Sequence, residues 1–132
     1  MILGRVICAV LFAVFFFSGC SADAPSERLP GGYKIWVMNA QEIYLSDKDD
    51  ELLVGPALRT IGTTTSYIVA FCEPAPSGYQ GNLRSSGYSL IKVKSGVVRT
   101  GLQLHDVERE LNAAGEVMPK MLSYDRYRAV PN

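Results

Sequence analysis

The chain is short of the side chains on which most enzyme chemistry depends. Its 132 residues include one histidine, His105, and one tryptophan, Trp36. One imidazole and one spare thiol cannot build a zinc site without carboxylates, and no cofactor is implied. Neither sign of charge is in excess: 13 Lys and Arg stand against 13 Asp and Glu. The basic residues are scattered, at Lys34, Lys48, Arg59, Arg84, Lys92 and Lys94 among others. That balance implies neither a nucleic-acid partner nor a polybasic membrane patch. A phosphate-binding glycine loop is also missing, because Gly78, Gly81 and Gly87 are irregularly spaced and open no helix. The longest apolar run, Val6 to Phe17, has 12 residues, where a spanning helix needs about 20.

That run has the length of a signal-peptide core. Arg5 precedes it as a short positive region, and the small residues Ser18 and Gly19 follow it before Cys20. Phe17-Ser18-Gly19-Cys20 resembles the lipobox of bacterial lipoproteins, with phenylalanine where leucine is usual. The resemblance implies a signal peptide over 1–19, transfer of diacylglycerol to the Cys20 thiol, cleavage before that residue and often acylation of the new amino group by a palmitate-type chain. An uncleaved anchor and an ordinary signal peptide are the alternatives. Lipidation of this kind holds a protein stably, since each buried methylene contributes about 0.8 kcal/mol and two chains hold where one does not. In Gram-negative lipoproteins an aspartate directly after the cysteine favours the inner membrane. Ser21 takes that place here, which by resemblance points to the outer membrane, facing the periplasm. A Gram-positive surface is the other possibility.

With cleavage, 113 residues remain, carrying 12 basic against 13 acidic side chains, a net charge of −1. Cys8 leaves with the leader and Cys20 is consumed, so Cys72 has no partner for an intramolecular disulfide. Residues 20–32 comprise the lipidated cysteine and a small, polar, Pro- and Gly-rich tether. Residues 33–132 suit a single small domain.

Within that domain Tyr33, Ile35 and Val37 alternate with Lys34, Trp36 and Met38, which predicts a strand with one apolar and one mixed face. Glu42–Ser46 continues it as a hairpin, and Asp47–Asp50 forms a polar turn. A short strand over Glu51–Val54 ends at Gly55-Pro56. The β-branched run Thr63–Thr65 argues against helix over 57–65. Ser66–Glu73, apolar almost throughout, predicts a central strand buried on both faces. Pro74–Gly87 is a long loop. Tyr88–Lys94 and Val97–Thr100 flank a tight turn at Ser95-Gly96. Leu104, Val107, Leu111 and Ala114 recur at helical spacing, with Gly115 as the stop. Leu122–Val130 is an edge strand or a short helical turn. The expected class is α+β, a mostly antiparallel β-sheet with one C-terminal helix packed on a face.

Candidate chemistry is sparse. His105 beside Asp106 is adjacency rather than a triad, and a solvated surface position is the simpler reading. Cys72 with His105 would make a thiolate–imidazole pair, but Cys72 follows Val69-Ala70-Phe71 and reads as an inert core thiol. A disulfide between chains is its other option. Asp47, Asp49, Asp50 and Glu51 lack the glycine and the final glutamate of an EF-hand loop, so a solvated turn is expected there and no metal. A paired-carboxylate hydrolase depends on a three-dimensional separation that sequence does not display. Recognition remains. Tyr79, Gln80, Asn82 and Arg84 on the long loop have the composition of a binding surface. Trp36 is a second binding candidate, although a lone tryptophan is more often core.

These features lead to a membrane-tethered, non-enzymatic binding protein of the envelope, with a possible protein partner there. The body loosely resembles small uncharacterised lipoproteins. An immunity or inhibitor lipoprotein acting against a toxin or wall hydrolase is one alternative, and an envelope hydrolase another. A structural role in an envelope assembly would require a large exposed apolar patch.

Overall fold

The computed structural model describes residues 27–127. The leader, the lipobox with Cys20, tether residues 21–26 and the last five residues lie outside that range. Among the described residues, eight strands form two antiparallel sheets, and one α-helix follows them. The α+β class with mostly antiparallel sheet is therefore observed, with the strands divided between two sheets.

The smaller sheet has the order β1-β2-β3, with β1 at Lys34–Asn39, β2 at Glu42–Ser46 and β3 at Leu52–Val54. Its alternation follows the sequence, with Ile35, Ile43, Leu45 and Val54 inward and buried. The β1–β2 hairpin closes where the Asn39 Oδ1 accepts the Gln41 backbone N–H at 2.8 Å. In the β2–β3 turn the Asp47 Oδ1 accepts the N–H groups of Asp49 and Glu51, at 2.9 and 3.0 Å. The acidic run is thus a self-capped turn.

The larger sheet has the order β7-β6-β5-β4-β8. Its strands are β4 (Leu58–Thr63), β5 (Tyr67–Cys72), β6 (Gly87–Lys92), β7 (Val98–Leu102) and β8 (Leu122–Ser123). The threonine run ends β4 and turns the chain, with Thr64 Oγ1 accepting the Tyr67 N–H at 3.1 Å. Strand β5 is central and buried on both faces, as its apolar run predicts. Ile68, Ala70 and Cys72 point to the smaller sheet, while Tyr67 and Val69 point to the helix. In the C-terminal segment the two alternatives, edge strand or helical turn, follow one another within residues 122–127: the edge strand β8, then a 3-10 turn over Tyr124–Tyr127 that buries Tyr127 in the inter-sheet core.

Helix α1, Leu104–Ala113, covers the far face of the larger sheet with Val107 and Leu111. Asp106 caps it, its Oδ2 accepting the Gln103 N–H at 3.0 Å. An Arg99–Glu110 ion pair ties it to β7. Leu104, placed on the apolar face by its spacing, is 43 % exposed, because it stands in the first turn, ahead of the buried pair. The core is therefore two layers of side chains on either side of β5. Leu29, within the expected tether, packs against the inter-sheet layer and is followed by a 3-10 turn at Pro30–Gly32. The chain is thus docked on the domain before Tyr33.

Burial sets the sensitivity to truncation. Ile68→Ala, at a fully buried site in the inter-sheet layer, should lower unfolding free energy by about 2–5 kcal/mol. Val97→Ala, 55 % exposed, should change it by less than about 0.5 kcal/mol. Urea titrations followed by far-UV circular dichroism would compare them.

Candidate functional site

Register brings together residues that are distant in sequence. Trp36 of β1 pairs with Tyr44 of β2, and Lys34 with Ser46, so these side chains share the outer face of the smaller sheet. The weighing of Trp36 as core is overturned: it is 37 % exposed. Its neighbours on β1, Ile35 and Val37, take the inward places, which leaves Trp36 on the outer side of the pleat. Its Nε1 donates to the Ser46 Oγ at 2.8 Å, and the Ser46 hydroxyl in turn donates to the Asp47 carbonyl at 3.0 Å. The indole is thereby tied to β2 through its ring nitrogen.

Tyr44 connects this face to the long loop at 73–86. Its hydroxyl lies 3.2 Å from the Tyr79 hydroxyl and 3.0 Å from Glu42 Oε1. Glu42 can only accept, so Tyr44 donates to it and accepts from Tyr79. Asn39 Nδ2 donates to the other carboxylate oxygen at 2.7 Å. The chain Tyr79–Tyr44–Glu42–Asn39 thus runs from the loop to the tip of the β1–β2 hairpin. Burial first, then the bonds to Tyr79 and Glu42, holds the Tyr44 phenol well above its ordinary pKa. Two glycines make room for the two phenols, Gly55 for Tyr44 and Gly81 for Tyr79. A Cβ on Gly55 would stand 2.4 Å from Tyr44 Cδ1, and one on Gly81 would stand 2.2 Å from the Tyr79 hydroxyl.

The loop is pinned at a second place. Ser85 N–H donates to the Gly55 carbonyl at 2.8 Å, and Gly55 N–H donates to the Ser85 Oγ at 3.3 Å. Arg84 Nη2 donates to the Tyr79 carbonyl at 2.7 Å, and its guanidinium lies 5.2 Å from the centre of the Tyr79 ring. Of the four loop residues singled out in the sequence, Tyr79 and Arg84 form a unit, and Gln80 and Asn82 stand exposed beside it. Tyr44, Glu42 and Asn39 went unmarked. Their signal lay in alternation: with Ile43 and Leu45 inward, the even-numbered positions of β2 face out with Trp36.

The sites considered for catalysis are separated. Cys72 is buried in the inter-sheet layer, and His105 lies on the helix across the larger sheet, its side chain 62 % exposed. Asp106, next to His105, is engaged as the helix cap. Burial pushes the Cys72 thiol up to about 12, against a smaller lowering by Arg59. Among the described residues no three His, Cys, Asp or Glu side chains converge on a point that could hold a metal. At the other end of β5 from the long loop, a groove of about 270 Å³ is lined by Thr63, Thr64, Thr65, Glu116, Val117 and Pro119. There Glu116 Oε1 accepts the Ser66 N–H at 2.9 Å.

Compared with protein-family models, with curated proteins and with solved structures, the chain finds no match. What it does must therefore be argued from its own residues.

Two measurements follow from this geometry. A double-mutant cycle of Tyr44→Phe and Tyr79→Phe should return a coupling of about 0.5–1.5 kcal/mol in urea unfolding. Simple additivity would mean that the phenols do not cooperate. For Cys72 the folded pKa is raised from 9.0 to about 12. The folded chain therefore keeps a proton that the unfolded chain has released, and stability is lost progressively between those values as pH rises. Raised phenols at Tyr33, Tyr44 and Tyr127 add to the same trend above about pH 10. Cys72→Ala should shallow the fall in melting temperature that begins near pH 9.

Proposed function

We propose that the chain is an envelope lipoprotein, cleaved before Cys20 and held to a membrane by lipid on that cysteine, whose domain is a non-enzymatic binding module. The first half of the reading rests on sequence: the apolar run Val6–Phe17 followed by Phe17-Ser18-Gly19-Cys20. Ser21 in place of aspartate supports the outer membrane, facing the periplasm. The described residues contain no helix long and apolar enough to cross a membrane, so lipid would be the attachment.

The second half rests on one observation, the loop at 73–86 tied down at Tyr79 and at Ser85. A loop of this length normally loses conformational entropy on engaging a ligand. Here much of that ordering is already supplied by the Tyr44–Tyr79 and Ser85–Gly55 bonds. Tyr79 and Arg84 form a rigid aromatic–cation pair, and Gln80 and Asn82 offer amide donors and acceptors next to it. Fixed aromatic anchors flanked by adaptable polar groups characterise recognition surfaces. The hydrolase alternative gains little from His105: its side chain is 62 % exposed, its Nε2 lies 3.4 Å from Asp106 Oδ1, and the other oxygen of that acid caps the helix, with Cys72 enclosed on the far side of the larger sheet.

The anchor is tested by expressing wild type and Cys20→Ala with a clickable fatty acid and separating the membranes. Label and membrane association should occur in wild type alone; two soluble, unlabelled proteins would make the chain a freely secreted factor. The binding surface is tested with a photocrosslinking amino acid at Gln80 in intact cells, against the same residue at Asn112 on the exposed side of the helix. A discrete adduct from Gln80 only is the expected outcome, and equal or absent adducts at both positions would remove the loop from consideration.

A further inference from the structure

The outer face of the smaller sheet has a property that the loop does not explain. Six large apolar side chains are exposed among the described residues, and three of them gather here: Trp36 at 37 %, Met38 at 56 % and Leu52 at 37 %. Trp36 is an outward position of β1, Met38 is exposed at the bulge that follows between Val37 and Asn39, and Leu52 pairs with Ser46, the residue that holds the indole. The other three, Val97, Leu104 and Val117, are spread over a turn, the start of the helix and the segment after it. Strand β1 is the first strand of the described residues. Leu29, the first residue packed on the core among the described residues, lies nine residues from Cys20, and that length of chain reaches about 30 Å at full extension. Gly32 then passes against Lys48, so the chain arrives at the end of the sheet that carries Lys34, Ser46 and Leu52.

We infer that this face, with Trp36 at its centre, rests on the lipid–water interface of the membrane that holds Cys20. The inference depends on the anchored reading and adds a surface and a lipid class to it. An indole is suited to the headgroup level of a bilayer, where its ring is apolar and its N–H is satisfied; here Ser46 already takes the N–H. Three side chains are too few to recruit a protein from solution. They suffice once lipid on Cys20 makes docking intramolecular and raises the effective concentration. The flanking charge selects the lipid. Asp47, Asp49, Asp50, Glu51 and Glu42 outnumber Lys34 and Lys48 around the face, and Lys34 is paired with Asp50 at 2.6 Å. An excess of acid favours zwitterionic headgroups, whose ammonium groups it can meet, and is repelled by anionic ones. The face would then sit on lipid while the Tyr79 loop, at its far margin, stays open to a ligand.

Trp36 is the chain's one tryptophan and is its own probe. The lipidated protein is placed in vesicles of phosphatidylcholine and phosphatidylethanolamine that include chains brominated near the glycerol. Trp36 emission should shift to the blue and be quenched by the bromolipid, and the quenching should fall when phosphatidylglycerol replaces part of the zwitterionic lipid. Met38→Asp with Leu52→Asp, whose fold is checked by circular dichroism, should stay on the vesicles and lose the quenching. If wild type sediments with vesicles yet Trp36 is quenched by aqueous iodide and not by bromolipid, the inference fails while the anchor stands. A concentration-dependent dimer that shields Trp36 from both quenchers would also overturn it, in favour of a second copy on this face. A chain that carries no lipid label and leaves the vesicles takes the anchored reading down with it.

Discussion

The corner at Gly55–Ala57 decides how the rest of the molecule is arranged. Strand β3 ends at Val54 and β4 begins at Leu58, and the intervening residues are hydrogen-bonded in three directions. Ile43 N–H of β2 donates to the Pro56 carbonyl at 2.6 Å, Glu73 N–H at the end of β5 donates to the Ala57 carbonyl at 2.9 Å, and Ser85 of the long loop closes on Gly55. A buried backbone carbonyl without a partner would cost about 1–3 kcal/mol, so each of these bonds also answers a desolvation demand. One short segment therefore joins the smaller sheet to the larger and hangs the loop from both. Tyr44 lies against the same corner because Gly55 carries no side chain. The relative placement of Trp36, Tyr44 and Tyr79 is a consequence of that junction, more than of any property of the loop itself.

The same corner marks where sequence stops being informative. Local features were readable. Alternation over Tyr33–Asn39 and the apolar run at Ser66–Glu73 foretold β1 and β5, including the burial of β5 on both faces. Val107 and Leu111 at a helical spacing, with Gly115 after them, foretold α1. In each case a period of two or 3.6 is written in adjacent residues. The division into two sheets was not readable, because it depends on partners contacted across tens of residues: Ile43 with Pro56, Gly55 with Ser85. Leu104 misled because helical spacing identifies a face but not how much of that face the sheet underneath covers.

The candidate site was half legible for the same reason. Composition alone brings out Tyr79, Gln80, Asn82 and Arg84, since tyrosine and arginine on a loop are typical of binding surfaces. Trp36 was assigned to the mixed face of its strand by alternation and to the core by rarity, and alternation proved the better guide, because the pleat acts on every residue of β1 while rarity concerns only residue type. Tyr44, Glu42 and Asn39 had no compositional mark. Only the β1–β2 register and the fold-back of the loop made them into a connected network.

Placement also separates the side chains enclosed in the core from those left at the surface. Cys72, the one thiol among the described residues, is sealed between the two sheets, where burial suppresses the thiolate that nucleophilic or redox chemistry at this residue would need. His105 is on the other side of β5, beyond the helix-side layer. A β-sheet is impermeable to side chains, so no rotamer change could bring the two together; only unfolding of β5, the centre of the larger sheet, would do so. The outer face of the smaller sheet is different in kind. Two of its polar groups are already satisfied within the protein, the indole N–H by Ser46 and the Tyr44 phenol by Glu42, so a surface covering Trp36 removes apolar area from water without stripping those two groups of solvent, while the exposed Lys34–Asp50 pair stays at the margin. Such a face gains from contact at little desolvation cost. The thiol is thus enclosed between the sheets, while three apolar side chains, Trp36, Met38 and Leu52, are left exposed at the smaller sheet.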